Sequence, residues 1–199
     1  MSELTARRQE EKGRRRSEIL EAAASAAAET GFDAITMDQV ARRARLSRAL
    51  HLGLCERAME LLLERFAAAT RDVPTGLARL EAMGSAYVRY ARELPVYFQA
   101  LAHLEARAPE DLEKHLRFTE LGNLCHQNMT QAIREGVADG SIRPDLGSPD
   151  ATAIALWGFM HGVIQIANTK GALLAHRNTD TLQLYEQALV LMRRALSTA

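Results

Sequence analysis

Four arginines, Arg42, Arg43, Arg45 and Arg48, crowd into one short stretch beside Ser47, and Thr36 lies a little upstream. Guanidinium groups are planar forks that grip phosphate oxygens and guanine edges. Thr and Ser at helix starts add hydroxyls and first-turn amides, which also bind phosphate. His51 and Arg57 follow within the next ten residues. The chemistry such residues can do is non-covalent: they can neutralise and read a nucleic-acid duplex. An arginine run alone also fits a solvated helix face. The choice therefore depends on the elements that would hold these side chains.

Those elements are legible. Residues 17–30 place Ile19, Ala22, Ala23, Ala26 and Ala27 on one apolar stripe, and Gly31 follows as a stop. Thr36-Met37-Asp38-Gln39 is a capping box that starts a second helix, which runs to about residue 44. Ser47 is the next N-cap candidate. Two short helices joined by three or four residues form a helix-turn-helix, whose second helix enters the major groove. The helix opening at Ser47 is thus the expected reader. Arg7, Arg8, Lys12, Arg14, Arg15 and Arg16 precede the first helix and form a basic arm, which a disordered tail would also explain. The whole chain balances 25 basic against 25 acidic residues, and residues 1–57 hold 11 against 9. Any basic surface must therefore come from local placement.

The order in EILEAAASAAAETGFDAITMDQVARRARLSRAL resembles the TetR family of bacterial repressors: a first helix, GF, a Thr-capped second helix, A-R-x-A and a Ser-Arg opening. The likeness covers about residues 14–66, and GSIRPDLGSPDATAIALWGFMHG is similar to that family's lead into its penultimate helix. It implies a homodimeric regulator with a DNA-binding head and a larger helical domain that binds a small molecule. On that resemblance Thr36, Arg45, Ser47, Arg48, His51 and Arg57 face DNA. Arg45 stands where the family has a turn glycine, and Leu52-Gly53-Leu54-Cys55 replaces its aromatic run. Ungapped, Leu52, Cys55 and Ala58 take the family's Tyr, Phe and Lys places. One residue shorter, His51, Leu54 and Arg57 take them, and this register restores a cation. These departures motivate a rival reading, a dimeric helical ligand-binding or scaffold protein with a weakened reading head.

The chain is expected to be all-α, with residues 1–58 forming an arm and helix-turn-helix domain and 59–199 a helical ligand-binding and dimerisation domain. At 47% hydrophobic content, 199 residues suffice for a sizeable core, and no segment alternates like a strand. A fourth helix should run to about residue 71, and Asp72-Val73-Pro74-Thr75-Gly76 should break it. Further helices are expected over about 75–93, 95–107, 109–138 and 179–196, and one opens at Ser148-Pro149. Residues 151–167 carry no formally charged side chain, which predicts a helix buried on all sides, between a ligand cavity and a partner subunit. His161 and Gln165 interrupt that stretch, against a membrane span.

Candidate ligand-binding residues are Tyr87, Tyr90, Phe98, His103, Asn123, His126, Met129, Trp157, His161 and Gln165, polar or aromatic groups on apolar helices. Each alone also fits a packed core residue. Gly158 and Gly162 would let another helix approach closely. With Leu182, Tyr185, Leu189 and Met192 on the last helix they form the expected dimer face. A two-fold dimer would present its readers to a palindromic operator of double-stranded DNA about one turn, roughly 34 Å, apart. No nucleophile elbow, P-loop, dinucleotide fingerprint or zinc-protease motif occurs, so no enzyme, cofactor or metal is expected. Asp111 and His115 alone do not make a metal site. Cys55 and Cys125 are lone thiols without C-x-x-C spacing. Residues 1–12 lack an apolar stretch, so a cytoplasmic location is expected.

Overall fold

The computed structural model describes residues 48–102 and 112–198, without the side chains of 48–52 and 112–116. The helices expected over 17–30 and 36–44, the arm, Thr36, Arg45, Ser47, His103 and Asp111 lie outside the described residues, as do the side chains of Arg48, His51 and His115. The described residues form seven helices: α1 (Arg48–Thr70), α2 (Gly76–Glu93), α3 (Pro95–Ala102), α4 (Leu112–Asp139), α5 (Pro149–Thr169), α6 (Gly171–His176) and α7 (Thr181–Leu196). The fold is all-α. One isolated antiparallel bridge, Ile142 to Ser197, ties the loop after α4 to the end of α7. Among the described residues no helix is long and apolar enough to cross a membrane.

α1 packs on α2, α3 and α4, while α5 packs on α4 and α7. Apolar spacing drives this arrangement. In α2, Leu77, Leu80, Met83, Tyr87, Tyr90 and Ala91 recur at three- and four-residue steps and are buried. Tyr90 is fully buried and donates its phenol proton to the Ala58 carbonyl at 2.9 Å, fastening α2 to α1.

The break after α1 falls where Asp72-Val73-Pro74 predicts it, with Asp72 in the left-handed region at φ 61°. Thr75 caps α2 by accepting the Ala78 amide. Asp139, at the end of α4, accepts the Gly76 amide at 2.8 Å. Hydrogen bonds from Ser141, then from the Gly76 amide, hold the Asp139 carboxyl below the usual carboxylate range. This start of α2 lies directly against α4: a Cβ on Gly76 would run into the backbone of Ala132 and Gly136. Backbone cannot give way as a side chain can. Gly76→Ala should therefore destabilise the protein by about 2–4 kcal/mol in urea unfolding. Gly122→Ala, where a Cβ meets nothing within 4 Å, should be neutral or stabilising by about 1 kcal/mol.

One expectation needs correction: α1 runs without interruption from Arg48 to Thr70, so a reading helix and a separate fourth helix do not appear among the described residues. Leu54, Cys55 and Ala58 are all buried on one face, which keeps the rod against α3 and α2 through that point. In the protomer α5 leaves Ile154, Trp157, Phe159 and Ile166 exposed. The Ser148 cap and Pro149 start α5 as the sequence indicates. α6 was not expected from the sequence.

Candidate ligand cavity

A cavity of about 370 Å³ lies where α1, α2, α4, α5 and α7 converge, with Leu101 of α3 at its wall. Met59, Leu62 and Phe66 of α1 form one wall, and Leu80, Met83, Gly84 and Tyr87 of α2 form the next. Across from them stand Phe118, Gly122, Cys125, His126 and Met129 of α4, and Ile154, Trp157, Met160 and His161 of α5. The periodicity that buries each helix also turns these residues inward, because positions three and four apart share a face.

Its polar groups form two clusters. In the first, the Tyr87 phenol lies 2.7 Å from Nδ1 of His161, within hydrogen-bond distance. Burial pushes the Tyr87 phenol far up, so it remains a donor at any physiological pH. Phe98 stacks on the imidazole with centroids 5.1 Å apart, and Trp157 tilts over it at 6.0 Å. In the second cluster, His126 turns one edge to the cavity while Nε2 lies 3.4 Å from the Thr130 hydroxyl and 3.6 Å from Asp150. Thr130 and Arg134 both bond Asp150, at 3.2 and 3.3 Å, tying α4 to the first turn of α5.

The sequence-predicted residues separate into groups. Tyr87, His126, Met129, Trp157 and His161 line the cavity together. Phe98 and Tyr90 are fully buried behind its wall. Asn123 points to solvent, because it lies on the opposite face of α4 from Cys125 and Met129, and Gln165 is half-buried beyond the cavity. Met192, placed by sequence at the dimer face, lines the cavity instead. Tyr185 is buried in the protomer's own core, and half-buried Leu189 reaches Gly84 of α2. Those three face inward because α7 uses that stripe to cover α2 and α5. Leu182, Gly158 and Gly162 remain on the outside or its edge, and a Cβ on either glycine would meet nothing within 4 Å. Met59, Met83 and Met160 were not singled out by sequence, and Cys125 was noted only as a lone thiol. Methionine is unbranched, without charge or strong polarity, so no motif flags it.

Arg57 presents no bare cation. Its guanidinium lies 3.2 Å from both Glu60 and Glu64, and Glu60 also holds Arg117 at 2.9 Å. Although partial burial pushes Glu60 upward, hydrogen bonds from Arg117 and Arg57 hold it below the usual range. Among the described residues no cluster of three or more His, Cys, Asp or Glu is placed to hold a metal ion.

Both cysteines are free. Burial pushes Cys55 up to about 12, with help from the Glu56 charge, and burial alone pushes Cys125 up to about 12. Cys55 donates to the Ala100 carbonyl and Cys125 to the Met59 sulfur. At pH 8 roughly one thiol in 10,000 would be thiolate. Ellman's reagent at pH 8 should react with neither over minutes and with both after denaturation. Rapid native labelling would contradict this account of the thiols.

Comparison with known proteins agrees with this geometry. A family model described as tetracyclin repressor-like, C-terminal domain, matches residues 80–192. The ketosteroid transcriptional regulator KstR2 of Mycobacterium tuberculosis superposes with a TM-score of 0.69 at 17% identity, covering 93% of this chain and 96% of its own. A regulatory protein of the tetR family from Rhodococcus RHA1 gives 0.64 at 17%, covering 92% and 97%. The MbdR regulator from Azoarcus sp. CIB gives 0.64 at 18%, covering 92% and 98%. No curated protein matches the sequence.

Proposed function

The chain belongs to the TetR family of transcriptional regulators, and from that premise we propose that it is a homodimeric, cytoplasmic repressor released from a palindromic operator by a small molecule in the cavity. The observation that carries the reading is the continuity of α1. Its amino end begins at Arg48, inside the segment whose sequence resembles a reading head, and its later turns supply Met59, Leu62 and Phe66 to the cavity. A molecule that reshapes this wall acts on the rod entering the DNA-binding segment. It can shift that equilibrium only by binding one arrangement better than the other.

A second copy of this chain is the partner favoured by the exposed apolar face. Phe159 and Ile166, two turns apart on α5, flank Gly162, and Leu182, Val190 and Leu191 project from α7. Exposed apolar groups so concentrated mark an interface more often than a solvated surface.

The rival reading of a weakened head draws on one observation, the pairing of Arg57 with Glu60 and Glu64. A salt titration separates the two. Genome fragments selected on the full-length protein should yield a palindrome bound about a thousandfold more tightly than mixed DNA, with a steep salt dependence. Equal affinity for all sequences would overturn the repressor reading and leave the rival standing.

A further inference from the structure

Five of the six helices around the cavity contribute one methionine each: Met59 from α1, Met83 from α2, Met129 from α4, Met160 from α5 and Met192 from α7. They account for five of the 19 residues lining the cavity, whereas the other 180 residues of the chain hold only two. Thioether side chains have several soft torsions and a polarizable sulfur, so they refill space around guests of different outline and contact aromatic edges favourably. A cavity built to match one shape would instead use branched or aromatic side chains, which have few rotamers.

Charge narrows the guest further. Among the described residues no Lys, Arg, Asp or Glu lines the cavity. The Tyr87 phenol and the His161 imidazole, 2.7 Å apart, satisfy each other. An ionised guest would thus surrender its hydration with no fixed countercharge. Tyr87, His161 and Trp157 line the cavity and offer it aromatic faces.

We infer that the cavity takes uncharged, lipophilic molecules of differing shape, aromatic ones among them, in place of a single shape-matched or ionised ligand. The inference rests on the cavity being the ligand site of the proposed regulator.

Calorimetric titration of the full-length protein tests it with five probes: 4-phenylphenol, progesterone, decan-1-ol, biphenyl-4-carboxylate and 4-phenylbenzylammonium. Trp157 is the only tryptophan in the chain and lines the cavity, so its emission gives a second readout. The three neutral probes should bind within about tenfold of one another, and each charged biphenyl should bind at least about 30-fold more weakly than 4-phenylphenol. Met129→Ile with Met160→Ile stiffens two walls and should widen the neutral spread beyond about 30-fold. A charged biphenyl that binds as tightly as the phenol overturns the inference, as does binding of only one neutral shape or of no probe. An unchanged spread in a folded double variant overturns the role given to methionine, and if that variant fails to fold, the wild-type titrations still decide. Since the readout involves no DNA, probes that bind without altering operator affinity count against the switch and leave this inference intact.

Discussion

Aspartate at both Phe159 and Ile166 should convert the protein into a folded monomer whose preference for its operator falls by about a thousandfold or more. The two side chains are 39% and 45% exposed in the protomer, so replacing them leaves its own core untouched. They lie seven residues apart on α5, two turns along one face, with Gly162 between them and no atom within 4 Å of where its Cβ would be. Two-fold symmetry doubles every change, so the variant interface would bury four carboxylates without partners. Each costs several kcal/mol to desolvate, more than the apolar contacts it replaces can offset. A monomer engages one half-site, and the gain from tethering two readers is lost. Sedimentation velocity should show a single protomer, circular dichroism an unchanged helix content, and fluorescence anisotropy weak binding that does not distinguish the palindrome. A variant that still sediments as a dimer and keeps operator affinity would show that the subunits meet elsewhere. The contrast lies in Tyr185 and Met192, buried in the protomer, where the same substitution would unfold the chain and reveal nothing about assembly.

That contrast also shows where the sequence was informative. Caps and breaks are local chemistry, so Thr75, Ser148-Pro149 and the Asp72 turn could be read directly. The stripe of Leu182, Tyr185, Leu189, Met192 and Leu196 was visible as a stripe, but periodicity says only that a face is apolar. Whether its partner is α2 of the same chain or a second copy depends on tertiary packing, and here Tyr185, Met192 and Leu196 go inward. The same limit applies on α4, where Asn123 and His126 have the polarity expected of anchors and a difference of roughly 60° in helical phase sends Asn123 to solvent. The continuity of α1 was hidden for another reason. Gly53 and the apolar run around it read as a departure from a family pattern, whereas Leu54, Cys55 and Ala58 form one buried face that carries the helix onward. Trp157, His161 and Tyr87 were found because aromatic and imidazole groups on apolar helices are conspicuous. The methionines between them are not.

Filling the cavity from within should have an effect as large as breaking the proposed dimer. Gly122 lines the cavity on α4, and its missing Cβ faces open space, so Gly122→Phe can place a ring there without displacing the backbone. Replacing a mid-helix glycine and burying a phenyl ring should together raise unfolding free energy by about 1–3 kcal/mol. The ring would occupy the volume a guest needs, so 4-phenylphenol should bind at least about 100-fold more weakly, since displacing a covalently held occupant costs its whole burial energy. Because Met59, Leu62 and Phe66 of α1 face the same volume, the ring bears on α1 as a ligand would. Operator affinity of the variant should therefore match that of ligand-saturated wild type and respond no further to added ligand. Gly122→Ala is the control: it gains the helix propensity, leaves the volume open, and should bind ligand and operator as wild type does. If Gly122→Phe loses the ligand yet keeps full operator affinity, occupancy and DNA release are separate events, and the continuous α1 is a structural strut with no part in switching.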